Sequence, residues 1–177
     1  MRFRSLIAVA FIALAASCIH LNNDKFTFGD PEVAMVMRVT NLGEVREGEL
    51  AREKAAEPSV REFATMMITG HSAASSKIEA ALFKKDITSE DSPLSRQLDA
   101  ESGAATERLR ALSGRAFDRA YMERQIQVHQ NVLNLIDTKL MPAAKKKVVK
   151  DQLSEMRKDV QEHLTRAQQV AKTIPAS

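Results

Sequence analysis

The strongest constraint in this chain is a helical spacing of apolar side chains that persists from Val60 to Leu82. On a helix turning about 100° per residue, Val60, Phe63, Ala64, Met67, Ala74, Ile78, Ala81 and Leu82 fall on one face. His71 lies inside that face, one turn past Met67. The pattern recurs from Phe117 to Leu140, where His129 sits among Met122, Ile126, Val132, Leu133 and Ile136. It recurs again from Val149 to Ala171, where His163 borders the face of Leu153, Met156, Val160, Leu164 and Ala167. The chain has 4 histidines. Three of them occupy core-facing stripes of three separate helices.

The 177 residues suffice for one domain and a short appendage. Strong helix formers dominate, and the few glycines and prolines fall mostly between the periodic stretches. The formal charge is +3, but Arg2 and Arg4 belong to a leader. Without them 24 basic residues face 23 acidic ones, a net of +1. Both signs mix along every helix, so the clustered positive footprint of a nucleic-acid binder is missing.

Met1 to Cys18 reads as a targeting segment. Arg2 and Arg4 precede an apolar run of eleven residues, Leu6 to Ala16. A spanning helix needs about 20. The run ends in Leu14-Ala15-Ala16-Ser17-Cys18, which resembles the lipobox of bacterial lipoproteins, with Ala15 where leucine is usual. That resemblance implies cleavage before Cys18 and its acylation, hence a membrane anchor. Ile19 rather than aspartate follows, which in Gram-negative envelopes implies the outer membrane, with the protein on its periplasmic face. The alternative is an ordinary secretory signal and a soluble periplasmic protein. Cys18 is the one cysteine, so no intramolecular disulfide can form. Residues 19–30 read as a tether.

From residue 31 to 174 the chain reads as a single helical bundle. Asp30 is expected to cap the first long helix, with Pro31 in its first turn and Pro58 as its stop. Gly43 and Gly48 in that helix predict a close approach of a neighbour. Ser59 and Glu62 read as a capping box for the second helix, which ends near Lys85. A short amphipathic helix, Leu94 to Leu112, precedes a third long helix over 115–140. Met141-Pro142 breaks the chain before a fourth, 144–172. Lys145, Lys146, Lys147 and Lys150 crowd this last turn.

The heights of the polar residues select a topology. Glu44 precedes the first turn by about 13 residues, and His71 follows it by about 13, so the two share a level at 1.5 Å per residue. His129 and His163 join that level only if the 31 residues from Asp86 to Ala116 carry the chain back along the bundle. The second and third long helices are then parallel. The expected fold is therefore all-α: a ferritin-like four-helix bundle with a long crossover carrying a short extra helix. The same topology places the lysine-rich turn at the end where the tether leaves.

Several phrases carry a family resemblance. They are Glu44-Val45 with Gly48 and Leu50-Ala51, Val60-Arg61-Glu62-Phe63-Ala64-Thr65-Met66-Met67 leading to His71, Leu112-Ser113-Gly114 with Phe117-Asp118 and Tyr121, His129, and Glu162-His163-Leu164 with Ala167. Over about Ala34 to Val170 the chain resembles a bacterial envelope family known only as domain of unknown function four-one-four-two. That family is grouped with the ferritin-like superfamily. The resemblance implies the bundle and export, and it brings no established activity. The chain departs from the family at Gly70, where aspartate is usual, and at Glu47, where an apolar residue is usual.

Ferritin-like di-iron sites use carboxylates with two Glu-x-x-His pairs. Here Ile68, Ile126 and Val160 stand three residues before the histidines, so a full di-iron site is not encoded and no catalytic residue is assigned. His71, His129 and His163 on one level, with Glu44 or Glu47, are the candidate ligands for a single zinc, copper or iron ion. Met67 and Met122 nearby would favour a soft ion such as Cu(I). The alternative is that the histidines pair with polar neighbours in a core layer. The protein would then be a non-catalytic envelope module for stress response or for binding another envelope protein, with no metal.

Overall fold

The computed structural model describes residues 29–175, and the targeting segment, Cys18 and most of the tether lie outside them. Four long helices and one shorter helix account for nearly all of the described residues, with no strand among them. They are α1 (Asp30–Lys54), α2 (Pro58–Phe83), α3 (Pro93–Arg110), α4 (Gly114–Leu135) and α5 (Lys147–Ala171). A π-helical turn, Ile136–Leu140, and a last helical turn, Met141–Ala143, extend α4. Pro142 has no N–H to continue an α-helical ladder, and the wider turn falls just before it.

Contacts at the two ends of the bundle fix the direction of every helix. At one end the Asp118 carboxylate, at the start of α4, accepts hydrogen bonds from the backbone N–H groups of Ala56 (3.0 Å) and Glu57 (2.9 Å) in the α1–α2 turn. Ser59 touches Thr173, just past α5, at the same end. At the other end the Asp30 carboxylate, at the start of α1, accepts from the backbone N–H groups of Lys145 (2.8 Å) and Lys146 (3.1 Å). Thus α2 and α4 run parallel, and α3 is the crossover between them. Glu90 pairs with Pro31 at its start, and Lys54 reaches the Arg110 carbonyl at its end.

These contacts revise the expected caps. Gly29, not Asp30, precedes the first turn of α1, and Glu32 accepts the Gly29 N–H at 2.9 Å. Asp30 is thereby free to serve the lysine-rich turn. Pro58 does not stop a helix. It occupies the first position of α2, where its missing N–H costs nothing. The exposed N–H groups ahead of it are met by Asp118, so Ser59 makes no cap.

The core has two apolar zones with a polar layer between them. Val33, Val36, Met37, Ile136, Leu140, Val149 and Leu153 fill the zone near the lysine-rich turn, and Phe63, Met67, Phe117, Tyr121 and Met122 fill the other. Of the large apolar residues on the helical stripes, Val60, Phe63, Met67, Ile136, Leu153, Val160 and Leu164 are buried. Ile126 and Leu133 are only partly buried. The inner line of α4 instead runs through Asp118, Tyr121, Gln125, His129 and Val132. The close approach expected at the glycines of α1 is present. A Cβ on Gly43 would sit 2.7 Å from Ser102 Oγ of α3, and one on Gly48 would sit 3.0 Å from Ile68 of α2.

Candidate metal centre

The polar layer brings His71 of α2, His129 of α4 and His163 of α5 together. Their ring centroids are 4.9 Å apart for His71–His163, 5.7 Å for His129–His163 and 6.0 Å for His71–His129. One ring nitrogen from each lies within 4.8 Å of the others. His71 and His129 are buried, and His163 is half-buried.

Two of the tautomers follow from neighbouring bonds. The Asn41 side-chain N–H donates to the Met37 carbonyl at 3.0 Å, which turns its Oδ1 toward His71. His71 Nδ1 must then donate to Asn41 Oδ1, 2.7 Å away. His129 Nδ1 donates to the Gln125 carbonyl at 2.8 Å, because a carbonyl can only accept. Each ring therefore keeps its lone pair on Nε2. Both Nε2 atoms are buried with no hydrogen-bond partner, and so is His163 Nδ1. A ring held through one nitrogen with the other bare is the arrangement of a metal-ligating histidine.

Electrostatics keeps the rings neutral. Burial lowers the pKa of His71 well below the ordinary value, and His163 and His129 push it the same way. Burial brings His129 down to about 4. Burial, with His129 second, brings His163 to about 4. At neutral pH all three offer lone pairs rather than charge.

A second cavity-side feature gives access. A pocket of about 290 Å³ between α2 and α5 is lined by His71, His163, Asn41, Met156 and Asp159. Gly70 forms part of its wall, and a Cβ there would come within 3.2 Å of His163 Nε2. The glycine that departs from the family pattern thus makes room for the imidazole.

Glu44 and Glu47 do not join the histidine triad within that 4.8 Å reach. Arg124 takes Glu47 instead. Its guanidinium forks onto the carboxylate, with Nη2 at 3.0 Å from Oε1 and Nε at 3.2 Å from Oε2. Ser102 Oγ adds a donor at 3.2 Å. Burial and the neighbouring Glu44 still raise the pKa of Glu47, with Arg124 opposing them. Burial lifts Glu44 to about 6, against Arg124 and Gln125. Its Oε2 has no partner, like Tyr121 Oη and Gln125 Oε1 beside it in the layer.

The hydropathy pattern had no signal for Asn41, Gln125 or Arg124. Polar residues on a buried face are visible only once their partners on other helices are known. The ferritin-like di-iron donor set does not fit this layer, because apolar Ile68, Ile126 and Val160 occupy the positions its Glu-x-x-His carboxylates would need. Three neutral imidazoles do fit a single ion. Tetrahedral nitrogen ligands about 2.0–2.1 Å from zinc lie roughly 3.4 Å apart, so nitrogens now within 4.8 Å of one another need to close by up to about 1.4 Å.

The fold and this layer define an all-α bundle with a ferritin-like crossover and a histidine-lined core. Residues 20–170 match the family described as Domain of unknown function (DUF4142), and the chain belongs to that family. No curated protein matches it. Its fold is similar to the crystal structure of a DUF305 protein from Streptomyces coelicolor that is described as secreted by inference. The two share 13% identity with a TM-score of 0.66, over 84% of this chain and 96% of that one. Among the described residues no helix is long and apolar enough to cross a membrane.

Proposed function

We propose that this protein is an exported, lipid-anchored helical bundle that holds one transition-metal ion on His71, His129 and His163. The observation that carries the reading is the set of three buried ring nitrogens without partners, two of them on rings whose tautomer a neighbour fixes. An uncompensated buried polar atom costs about 1–3 kcal/mol. Three in one place are better explained by a shared ligand than by three separate losses. The pocket between α2 and α5 supplies an entry path. The donor set is neutral, so a bound cation keeps its full charge. That favours monovalent copper over divalent zinc or iron in a buried layer.

The test is metal analysis of the mature protein purified without a histidine tag, followed by titration with Cu(I) and Zn(II). One equivalent of metal, lost in His71→Ala, supports the reading. A chain that stays metal-free and fails to bind either ion refutes it, and the protein is then the metal-free envelope module.

The anchor rests on Cys18 and its flanking small residues. Acylation would tether the bundle through residues 19–28 to the start of α1. Lys145, Lys146, Lys147 and Lys150 lie exposed at that same end. Each would add about 1 kcal/mol of attraction beside anionic lipid. Fractionation decides the point. The unaltered protein should pellet with membranes, and Cys18→Ser should release it. Recovery of the unaltered protein in the soluble fraction would remove the anchor.

A further inference from the structure

A larger cavity lies on the opposite side of the polar layer, between α1, α3 and α4. Its volume is about 550 Å³. Val39, Leu94, Leu98, Val128, Val132 and Leu135 form an aliphatic part of the wall, and polar or charged residues form most of the rest. The crossover helix supplies Leu94 and Leu98, so α3 is the outer wall of a chamber as well as a connection. A chamber of this size, with an aliphatic wall facing polar and charged groups, can take a small amphipathic molecule.

Glu44 is the group that gives the chamber its chemistry. Its side chain lines the cavity, it is only 4% exposed, and its Oε2 has no hydrogen-bond partner. Arg124 also lines the cavity, but its guanidinium is already forked onto Glu47. The charged residues of the lining are Glu44 and Glu101 with Arg124 and Lys139, and Arg124 is engaged by Glu47 behind the wall. Glu44 is thus a buried carboxylate with no ion-pair partner of its own and with one oxygen that lacks a donor.

We propose that this chamber binds a small aliphatic amine, its ammonium group donating to Glu44 and its chain lying against Leu98, Val128 and Leu135. An ammonium supplies both the missing hydrogen-bond donor and the missing positive charge. A carboxylate head placed at Glu44 would meet like charge, because Arg124 is held by Glu47 and the other cation of the lining, Lys139, is exposed to solvent. A hydroxyl head supplies the donor without the charge, and stands between the two. This site is separate from the histidine triad, which opens between α2 and α5, so neither proposal depends on the other.

The experiment is calorimetric titration of the mature protein at neutral pH with decylamine, decanol and decanoate, each below its aggregation limit. Decylamine should bind with one-to-one stoichiometry, decanol at least tenfold more weakly, and decanoate not measurably. Glu44→Gln should bring decylamine down to the level of decanol. Val128→Trp, which fills the chamber, should abolish binding of both. The head-group series on the unaltered protein stands even if a variant folds poorly. Equal affinity for the three heads, no binding of decylamine, or decylamine affinity unchanged in Glu44→Gln would overturn the proposal.

Discussion

Asn41 of α1 accepts the Nδ1 proton of His71 of α2 across 2.7 Å, while its own amide is held by the Met37 carbonyl. A residue on the first helix therefore dictates which nitrogen of the second helix is free. Supporting bonds of this kind typically set 10–100-fold of metal affinity. Asn41→Leu should lower Cu(I) or Zn(II) affinity by that order and leave the stoichiometry of one intact. Competition titration against a chelator of known affinity measures it. An unchanged affinity would show that Asn41 orients nothing.

Gly70→Ala separates the triad from the stability of the bundle. Alanine favours a helix over glycine by up to about 1 kcal/mol. The new Cβ would nevertheless crowd His163 at 3.2 Å. The variant should therefore unfold at the same or higher urea concentration yet bind metal more weakly. A parallel loss of both would mean that the glycine serves packing alone.

Asp118 should matter more than its position in a polar spacing suggests. It is fully buried and satisfies two backbone N–H groups at the α1–α2 turn. Bonds to a charged acceptor contribute about 1.5–3 kcal/mol each. Asp118→Ala should cost about 3 kcal/mol or more by urea denaturation. Asp118→Asn, which keeps one acceptor oxygen, should cost less.

Leu153→Ala and Leu133→Ala test the revised core. Leu153 is fully buried, and its truncation should cost about 2–5 kcal/mol. Leu133 is partly buried and should cost clearly less, about 1 kcal/mol. Equal costs would restore the simpler apolar stripe along α4.

The metal-free protein should lose stability as pH falls from 6.5 toward 4. His129 and His163 have folded pKa values near 4, below the ordinary 6.5. In that window the unfolded chain binds more protons, so acid favours unfolding. His129, the more buried of the two, contributes about 3 kcal/mol of this loss. Glu44 acts in the opposite sense. Its pKa is raised to about 6, so between 4.5 and 6 the folded state takes up protons more readily. Nearby Glu47, Arg124 and Asp159 modulate both effects. Urea midpoints measured from pH 7 to 4 should fall, and fall more steeply in Glu44→Gln. A flat profile would show that the rings are hydrated.

The architecture was legible because each long helix carries its own apolar period, and because polar residues on four helices agree in height under one topology alone. The triad was legible for the same reason. The glutamates were not. Glu47 lies at the right level, but the fork offered by Arg124 draws it away, and a helical period cannot reveal a partner on another helix. The inner line of α4 was displaced from Ile126 and Leu133 by one position. Its true course passes through Asp118 and Gln125 as well as His129, and a scale of hydrophobicity counts Asp118 and Gln125 as outward-facing.

The parallel course of α2 and α4 has a further consequence for assembly in time. His71 is made early and His129 late, and His163 arrives only with the last helix. A chain threaded through a membrane with its N-terminus leading would emerge with Asn41 and His71 already paired on an α1–α2 hairpin. The remaining two imidazoles would still be in transit. The ring of three cannot close until α5 docks, some 90 residues after His71. On the metal-binding reading proposed above, an ion met by earlier intermediates would find only incomplete ligand sets, and the finished molecule alone would offer all three nitrogens.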